Sequence, residues 1–159
     1  MNPYKNIDKV VINVGIGRLS GQPSFDDKIL PELIKEISMI CGQKPSVCRV
    51  KKSIAGFKVR EGAVVGLKAT LRGARLKEFL NKFINAVLPR VRDFRGINPK
   101  SLDQNGNLTM SLKEHYVFPE ISSDYSKVNF GLEITVVPKL QKKEKATELY
   151  KELKIPFKK

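Results

Sequence analysis

Nine lysines and arginines and a single acid, Glu61, lie between Lys44 and Arg75, together with Gly56, Gly62, Gly66 and Gly73. Ammonium and guanidinium groups bind polyanions, lysine as a point charge and arginine as a planar fork that matches phosphate oxygens. Glycine lets the backbone bend and approach a partner closely. A merely solvated face intersperses both signs of charge. Here the acids are nearly missing, which favours contact with a phosphate backbone, RNA or DNA. The remaining charge is uneven. Residues 1–43 carry five basic and five acidic groups, residues 76–138 eight and seven, and residues 139–159 eight and three. The formal +14 is therefore concentrated in one central segment and a C-terminal tail.

Other chemistries find little support. His115 is the only histidine, with Glu114 beside it and Glu120 nearby, and no spaced set of cysteines accompanies it. A metal or acid–base centre needs more ligands than that, so no metal and no catalytic residue is assigned. Gly15-x-Gly17 follows an apolar run, but no third glycine stands in place and no helix opens there, so it is no dinucleotide fingerprint. Cys41 and Cys48 are the only cysteines and read as free thiols. No cofactor is implied, and the chain reads as a non-enzyme.

Several elements must position the cations. Val10–Val14 alternates as a strand with Val10, Ile12 and Val14 on one face. After Asp26 and Asp27, Ile29, Leu30, Leu33, Ile34, Ile37, Ile40 and Cys41 recur at helical spacing, with Pro31 in the first turn and Gly42 as the cap. Ser46–Val50 reads as a strand. Beyond the cationic loop, Val65, Leu67, Ala69 and Leu71 point inward against Lys68, Thr70 and Arg72. A second helix near Ala74–Leu88 stops at Pro89. Asn105-Gly106 signals a turn before a strand at Leu108-Met110-Leu112. Gly131–Val137 is the last strand, and Lys142–Leu153 a helix with Ala146, Leu149, Tyr150 and Leu153 inward. The order β-α-β-β-α-loop-β-β-α predicts an α+β fold, a mainly antiparallel sheet with helices packed on one face. At 159 residues and 41% hydrophobic content it is read as one domain, 1–159, with a cationic loop at 49–62 and a basic helix and tail at 139–159. The longest apolar runs are too short to cross a bilayer, the N-terminus lacks a signal core, and no membrane partner is expected.

That layout leaves a sheet face with Asn13, Lys68, Thr70, Arg72, Thr109, Ser111 and Thr135 outward. Small hydrogen-bonding groups flanked by cations suit the phosphates and 2′-hydroxyls of structured RNA. Stacking aromatics are absent from it, which disfavours a reader of single strands.

The strings KVVINVGIG (9–17), GQKPSVCRVKKSIAGFKVREG (42–62), GLKATLRG (66–73), LPRVRDFRGI (88–97), NGN (105–107) and FPEI (118–121) resemble the bacterial type of large-subunit ribosomal protein five, the 5S rRNA-binding protein of the central protuberance. The resemblance covers most of the chain, and the tail KIPFKK (154–159) is similar to the family's ending. It implies a ribonucleoprotein component in a cytoplasmic ribosome of bacterial type, with an organellar ribosome left open. Three contacts follow from it. Asn13, Gln43 and Thr70 match the residues that the family lays on 5S rRNA, with Lys44, Lys68 and Arg72 adding cations. The loop carrying Arg49, Lys51, Lys52, Ser53, Gly56, Phe57, Lys58 and Arg60 matches the family's reach toward the elbow of P-site tRNA. In that loop the lysines and arginines meet phosphates, Ser53 and Gly56 allow close approach, and Phe57 either anchors the loop internally, the reading favoured here, or stacks on RNA. Arg90, Arg92 and Arg95 are a possible 23S rRNA contact, unless Asp93 pairs with them.

The resemblance also implies neighbouring ribosomal proteins as partners, including a small-subunit head protein across the intersubunit bridge, for which no residue is assigned. One departure is visible. The family usually begins with a helical segment of about two turns or more before the first strand, and here only Met1–Asp8 precede it: either this is a reduced form, expected to lose peripheral rRNA or protein contacts while the three sites remain, or the gene start differs. The alternative function is a free RNA-binding regulator or RNA chaperone that uses the same basic surface.

Overall fold

The computed structural model describes residues 2–159; Met1, the first residue of the short leading segment, lies outside the described residues. Five strands, β1 (Ile7–Gly15), β2 (Ser46–Arg49), β3 (Val64–Leu71), β4 (Leu108–Leu112) and β5 (Leu132–Pro138), form one antiparallel sheet in the order β2-β3-β1-β5-β4. Among the described residues, three α-helices accompany it: α1 (Leu30–Cys41), α2 (Gly73–Lys82) and α3 (Lys143–Glu152). The α+β fold and element order match the sequence reading.

Alternation explains the sheet. Val10, Ile12 and Val14 of β1 are buried, and their cross-strand partners Leu71, Ala69 and Leu67 of β3 are buried with them. Leu33, Ile37, Leu76, Phe79 and Leu80 from α1 and α2 complete the same core. α1 touches α2 and β3, and α2 touches β1, so the apolar stripes of both helices cover that side of the sheet. β1 starts earlier than expected, because Ile7 is buried and continues the pairing to Pro138.

One inward assignment is corrected. Val64, not Val65, takes the core position at the start of β3. Cys48 pairs with Gly66 but Arg49 with Val64, so Val65 is the extra residue of a bulge. Its carbonyl accepts from the Ile16 N–H at 3.0 Å, which ties the bulge to the end of β1.

Pro31 sits in the first turn of α1, where its missing N–H is no loss, and Gly42 ends the helix at φ 71° with its N–H on the Ser38 carbonyl. α2 runs on through a wide turn at Phe83–Val87 and a tight one at Leu88–Arg90 that contains Pro89. The Lys82 ammonium donates to the Ile40 carbonyl at 2.7 Å, at the negative end of α1, and pairs with Glu120. Burial pushes the neighbouring Cys41 thiol up to about 12, against the pull of Lys82. At the far end, the Tyr150 hydroxyl of α3 reaches the Gly106 and Val136 carbonyls at 2.7 and 3.2 Å. The C-terminal tail then pairs with Ile97, whose N–H donates to Pro156 and whose carbonyl accepts from Lys158.

Candidate nucleic-acid interface

The sheet face opposite to the helices presents two rows of side chains across the strands. Register aligns Ser46, Lys68, Asn13, Glu133 and Ser111 in one row. Thr70, Val11, Thr135 and Thr109 form the next. Asn13, Lys68, Glu133 and Ser111 are exposed, while Thr70 and Thr135 are half-buried between neighbours. Among the described residues, the side chains of Asn13, Lys68 and Thr70 make no hydrogen bond or ion pair within the chain, and those of Thr109 and Thr135 bond only each other at 3.2 Å. Arg72 continues the open side of β3 by one extended residue and is exposed.

Gln43 is used differently. Its amide N–H donates to the Thr70 carbonyl at 3.0 Å, and its amide oxygen accepts from Arg75 at 3.2 Å. It therefore braces the rim next to Thr70 and retains one N–H for a partner. Lys44 beside it is exposed.

The cationic loop is an ordered hairpin that prolongs β2 and β3. The Val50 N–H donates to the Ala63 carbonyl, the Gly62 N–H donates to the Val50 carbonyl, and Ile54 pairs with Val59 further out. Ser53 Oγ accepts the Glu61 N–H at 2.9 Å and Arg49 donates to the Gly62 carbonyl at 3.0 Å, so both stiffen the arm. At the tip, Ala55–Phe57 makes a tight turn that Lys58 closes in the left-handed region at φ 52°. Lys51, Lys52, Lys58 and Arg60 are all exposed. Among the described residues, no cation of this loop, and none of Lys44, Lys68, Arg72 or Arg75, pairs with an acid.

Phe57 does not anchor the loop. It is 78% exposed at the tip, because the Ile54–Val59 pairing carries the turn beyond the reach of the core. A methyl placed on Gly56 would meet nothing within 4 Å, so nothing in the described chain itself demands a glycine there. Its smallness leaves the backbone of the tip open to a close neighbour.

Arg90, Arg92 and Arg95 are exposed on the segment between α2 and β4. Arg92 and Arg95 line an open cleft of about 510 Å³ with Thr109 and Ser111 of the open face and Lys158 of the tail. Asp93 turns in the left-handed region at φ 55° and, among the described residues, pairs with none of these arginines. The cluster therefore stays cationic and is joined to the edge of the sheet face.

His115 belongs to none of this. It is fully buried, stacked on Phe130 at 3.9 Å between ring centroids, and its Nε2 lies 3.2 Å from Glu36 of α1. Its Nδ1 accepts the Phe130 N–H and its Nε2 meets Ser126 Oγ, so the neutral ring is the form the pocket fits. Among the described residues, no group of three or more potential ligands stands ready for a metal ion, and no helix is long and apolar enough to cross a membrane.

Three residues of the surface escaped sequence reasoning. Ser46 and Glu133 occupy the open row, and strand alternation alone signals both, since Val47 and the run Leu132, Ile134, Val136 point to the core. Lys158 joins the arginine cleft only through the pairing of the tail with Ile97, for which the sequence holds no signal.

Residues 5–60 match the family model described as Ribosomal protein L5, and residues 64–157 match the model of the same ribosomal family's C-terminus. β1 pairs with both β3 and β5, so the two matched regions contribute to one sheet. The large ribosomal subunit protein uL5 of Halothermothrix orenii is 48% identical over 151 residues, covering 95% of this chain and 82% of that protein. The uL5 of Carboxydothermus hydrogenoformans is 45% identical over 162 residues, with 97% and 87% covered. That of Trichodesmium erythraeum is 47% identical over 156 residues, with 97% and 86% covered. With both family models matched in chain order and nearly half of all positions identical to these relatives, the chain belongs to the ribosomal protein L5 family, the uL5 proteins of the large ribosomal subunit.

Proposed function

We propose that this chain works as one structural unit of the large ribosomal subunit and binds 5S rRNA through the open sheet face. Asn13, Thr70, Lys68 and Arg72 make the contact, and Gln43 and Lys44 sit at its rim. The hairpin Arg49–Gly62 reaches P-site tRNA with Lys51, Lys52, Lys58 and Arg60, and Arg90, Arg92 and Arg95 meet 23S rRNA. A small-subunit head protein and neighbouring large-subunit proteins are the remaining partners. The family is one of ribosomal structural proteins and not of enzymes.

The observation that carries this reading is the separation of two kinds of surface. One is a flat sheet face whose neutral hydrogen-bonding groups include Asn13 and Thr70, neither with a side-chain partner among the described residues. The other is a projecting arm of unneutralised cations. Neutral groups discriminate, because leaving one unpaired in a dry interface costs about 1–3 kcal/mol. Cations supply affinity for any phosphate backbone.

A competition assay of 5S rRNA against a size-matched structured RNA, at near-physiological salt, tests it. A preference of about a hundredfold, roughly 2.7 kcal/mol, is expected. Asn13→Ala and Thr70→Ala should each weaken 5S binding while leaving its salt dependence unchanged, since neither neutralises a phosphate. Equal binding to both RNAs would favour a free RNA-binding regulator or chaperone instead.

A further inference from the structure

His115 closes the connection between β4 and β5 on itself, and its partners fix which ring nitrogen holds the proton. Ser126 donates its own hydroxyl proton to the Val128 carbonyl at 3.3 Å, so its oxygen is left to accept from His115 Nε2 at 3.0 Å. Nε2 therefore carries the ring proton, and Glu36 Oε2 of α1 lies 3.2 Å from the same nitrogen. Nδ1 is then the bare nitrogen, and it accepts the Phe130 N–H at 3.4 Å. The ring is fully buried, with the rings of Phe130 and Tyr116 centred 3.9 and 4.2 Å from its own. One imidazole thus holds together the turn at 115–118, the limb at 126–130 and helix α1.

The position where a second proton would bind is the one that the Phe130 N–H already occupies. An imidazolium presents an N–H at both nitrogens and has no acceptor left. Two donors would then face each other at 3.4 Å in a buried site, where an unmet N–H is costly. The titratable and charged groups around the ring are Glu36 on α1, Tyr116 in the turn, and Glu32, Lys35, Glu120 and Tyr125 along the cleft that Glu36 and Ser126 also line. Lys127 and Lys82 are spent on Glu32 and Glu120. Among the described residues only the Glu36 carboxylate lies within ion-pairing distance of the ring, and it does so at Nε2, where it steadies a cation without relieving the clash at Nδ1. The Lys127–Glu32 pair is exposed, and such pairs contribute little to holding a segment in place. We propose that His115 is an acid-operated latch: a proton taken from solvent at Nδ1 expels the Phe130 N–H and unseats the 126–130 limb, while Nε2 stays with Glu36. Burial holds the proton affinity of the ring below the ordinary 6.5, against the pull of Glu36, so the latch is shut at neutral pH and opens on acidification.

Amide hydrogen exchange of the full chain, resolved by NMR between about pH 8 and about pH 5, tests the latch. After correction for the intrinsic pH dependence of exchange, protection of the Phe130 amide should fall by about tenfold or more over that range, while that of Ile12 in the central strand β1 holds. His115→Gln keeps an acceptor for the Phe130 N–H and a donor for Ser126 but takes up no proton, so its Phe130 protection should stay level. If that variant does not fold, Glu36→Gln decides. It removes the carboxylate that steadies the cation, so opening should move to lower pH, and opening at an unchanged or higher pH counts against the latch. Nitrogen NMR of the ring at neutral pH should find the proton on Nε2. Phe130 protection that stays level in the wild type, a fall shared by Ile12, an equal fall in His115→Gln, or a ring proton on Nδ1 each overturns the inference.

Discussion

At the scale of single residues, polar side chains in this protein divide into those that the fold satisfies and those that it leaves open. His115 is satisfied. Burial disfavours its imidazolium, and the opposing pull of Glu36 is the smaller effect, so its proton affinity falls below the ordinary 6.5. The unfolded chain then takes up the proton first as pH drops. The contribution of His115 to stability is complete above about 6.5 and declines from there down to the folded midpoint, below which it changes no further. An NMR titration of the ring should give a midpoint below 6.5, and a midpoint above it would mean that Glu36 holds the ring charged. The lone histidine was legible as a non-catalytic residue, since the chain offers no second one. Its partner was not, because Glu36 lies on α1 and meets His115 only after the β4–β5 connection folds against that helix.

At the scale of elements, most of the fold was legible. The period-two runs of β1, β3 and β5 and the helical stripes of α1, α2 and α3 carry their own burial pattern. What escaped was local and geometric. The bulge at Val65 inverts one position of β3, and the pairing of Ile54 with Val59 lifts Phe57 away from any core. A residue type does not disclose a bulge, and an aromatic in a loop reads as an anchor until the register of the arm is known. The hairpin makes a testable element. Phe57→Ala should change unfolding free energy by no more than about 0.5 kcal/mol, as for a surface substitution away from caps and packing. The pair Lys51→Ala and Lys52→Ala should leave isolated 5S rRNA binding unchanged within twofold and impair tRNA-dependent steps on the ribosome. Loss of 5S binding by the lysine pair would reverse the roles given to the arm and the face.

At the scale of the whole molecule, charge is sorted by side. The ion pairs Lys82–Glu120 and Lys127–Glu32 and the contact of the neutral His115 ring with Glu36 fasten the 113–130 segment to the helical side, whereas the cations of the arm, the open face and the arginine cleft stay unpaired among the described residues. The C-terminal tail reinforces this polarity, because it carries Lys158 into the cleft beside Arg92 and Arg95. Gly96 is the hinge of that arrangement. Its φ is 108°, a conformation that side chains resist, and a Cβ there would lie 2.6 Å from the Lys158 nitrogen and 2.7 Å from the Phe157 carbonyl carbon. Neither obstacle is a flexible side-chain end, so the tail must move. Gly96→Ala should therefore cost roughly 2–4 kcal/mol of stability and break the two backbone bonds between Ile97 and the tail. With Lys158 withdrawn, the plot of log affinity for rRNA against log salt should lose about 0.7–0.9 of a unit of slope, the share of one phosphate contact. Deleting the lysine charge alone, by Lys158→Ala, should reproduce the change in slope without the loss of stability. If Gly96→Ala lowers the melting temperature but keeps the full slope, the tail serves packing only, and the cationic cleft ends at Arg95.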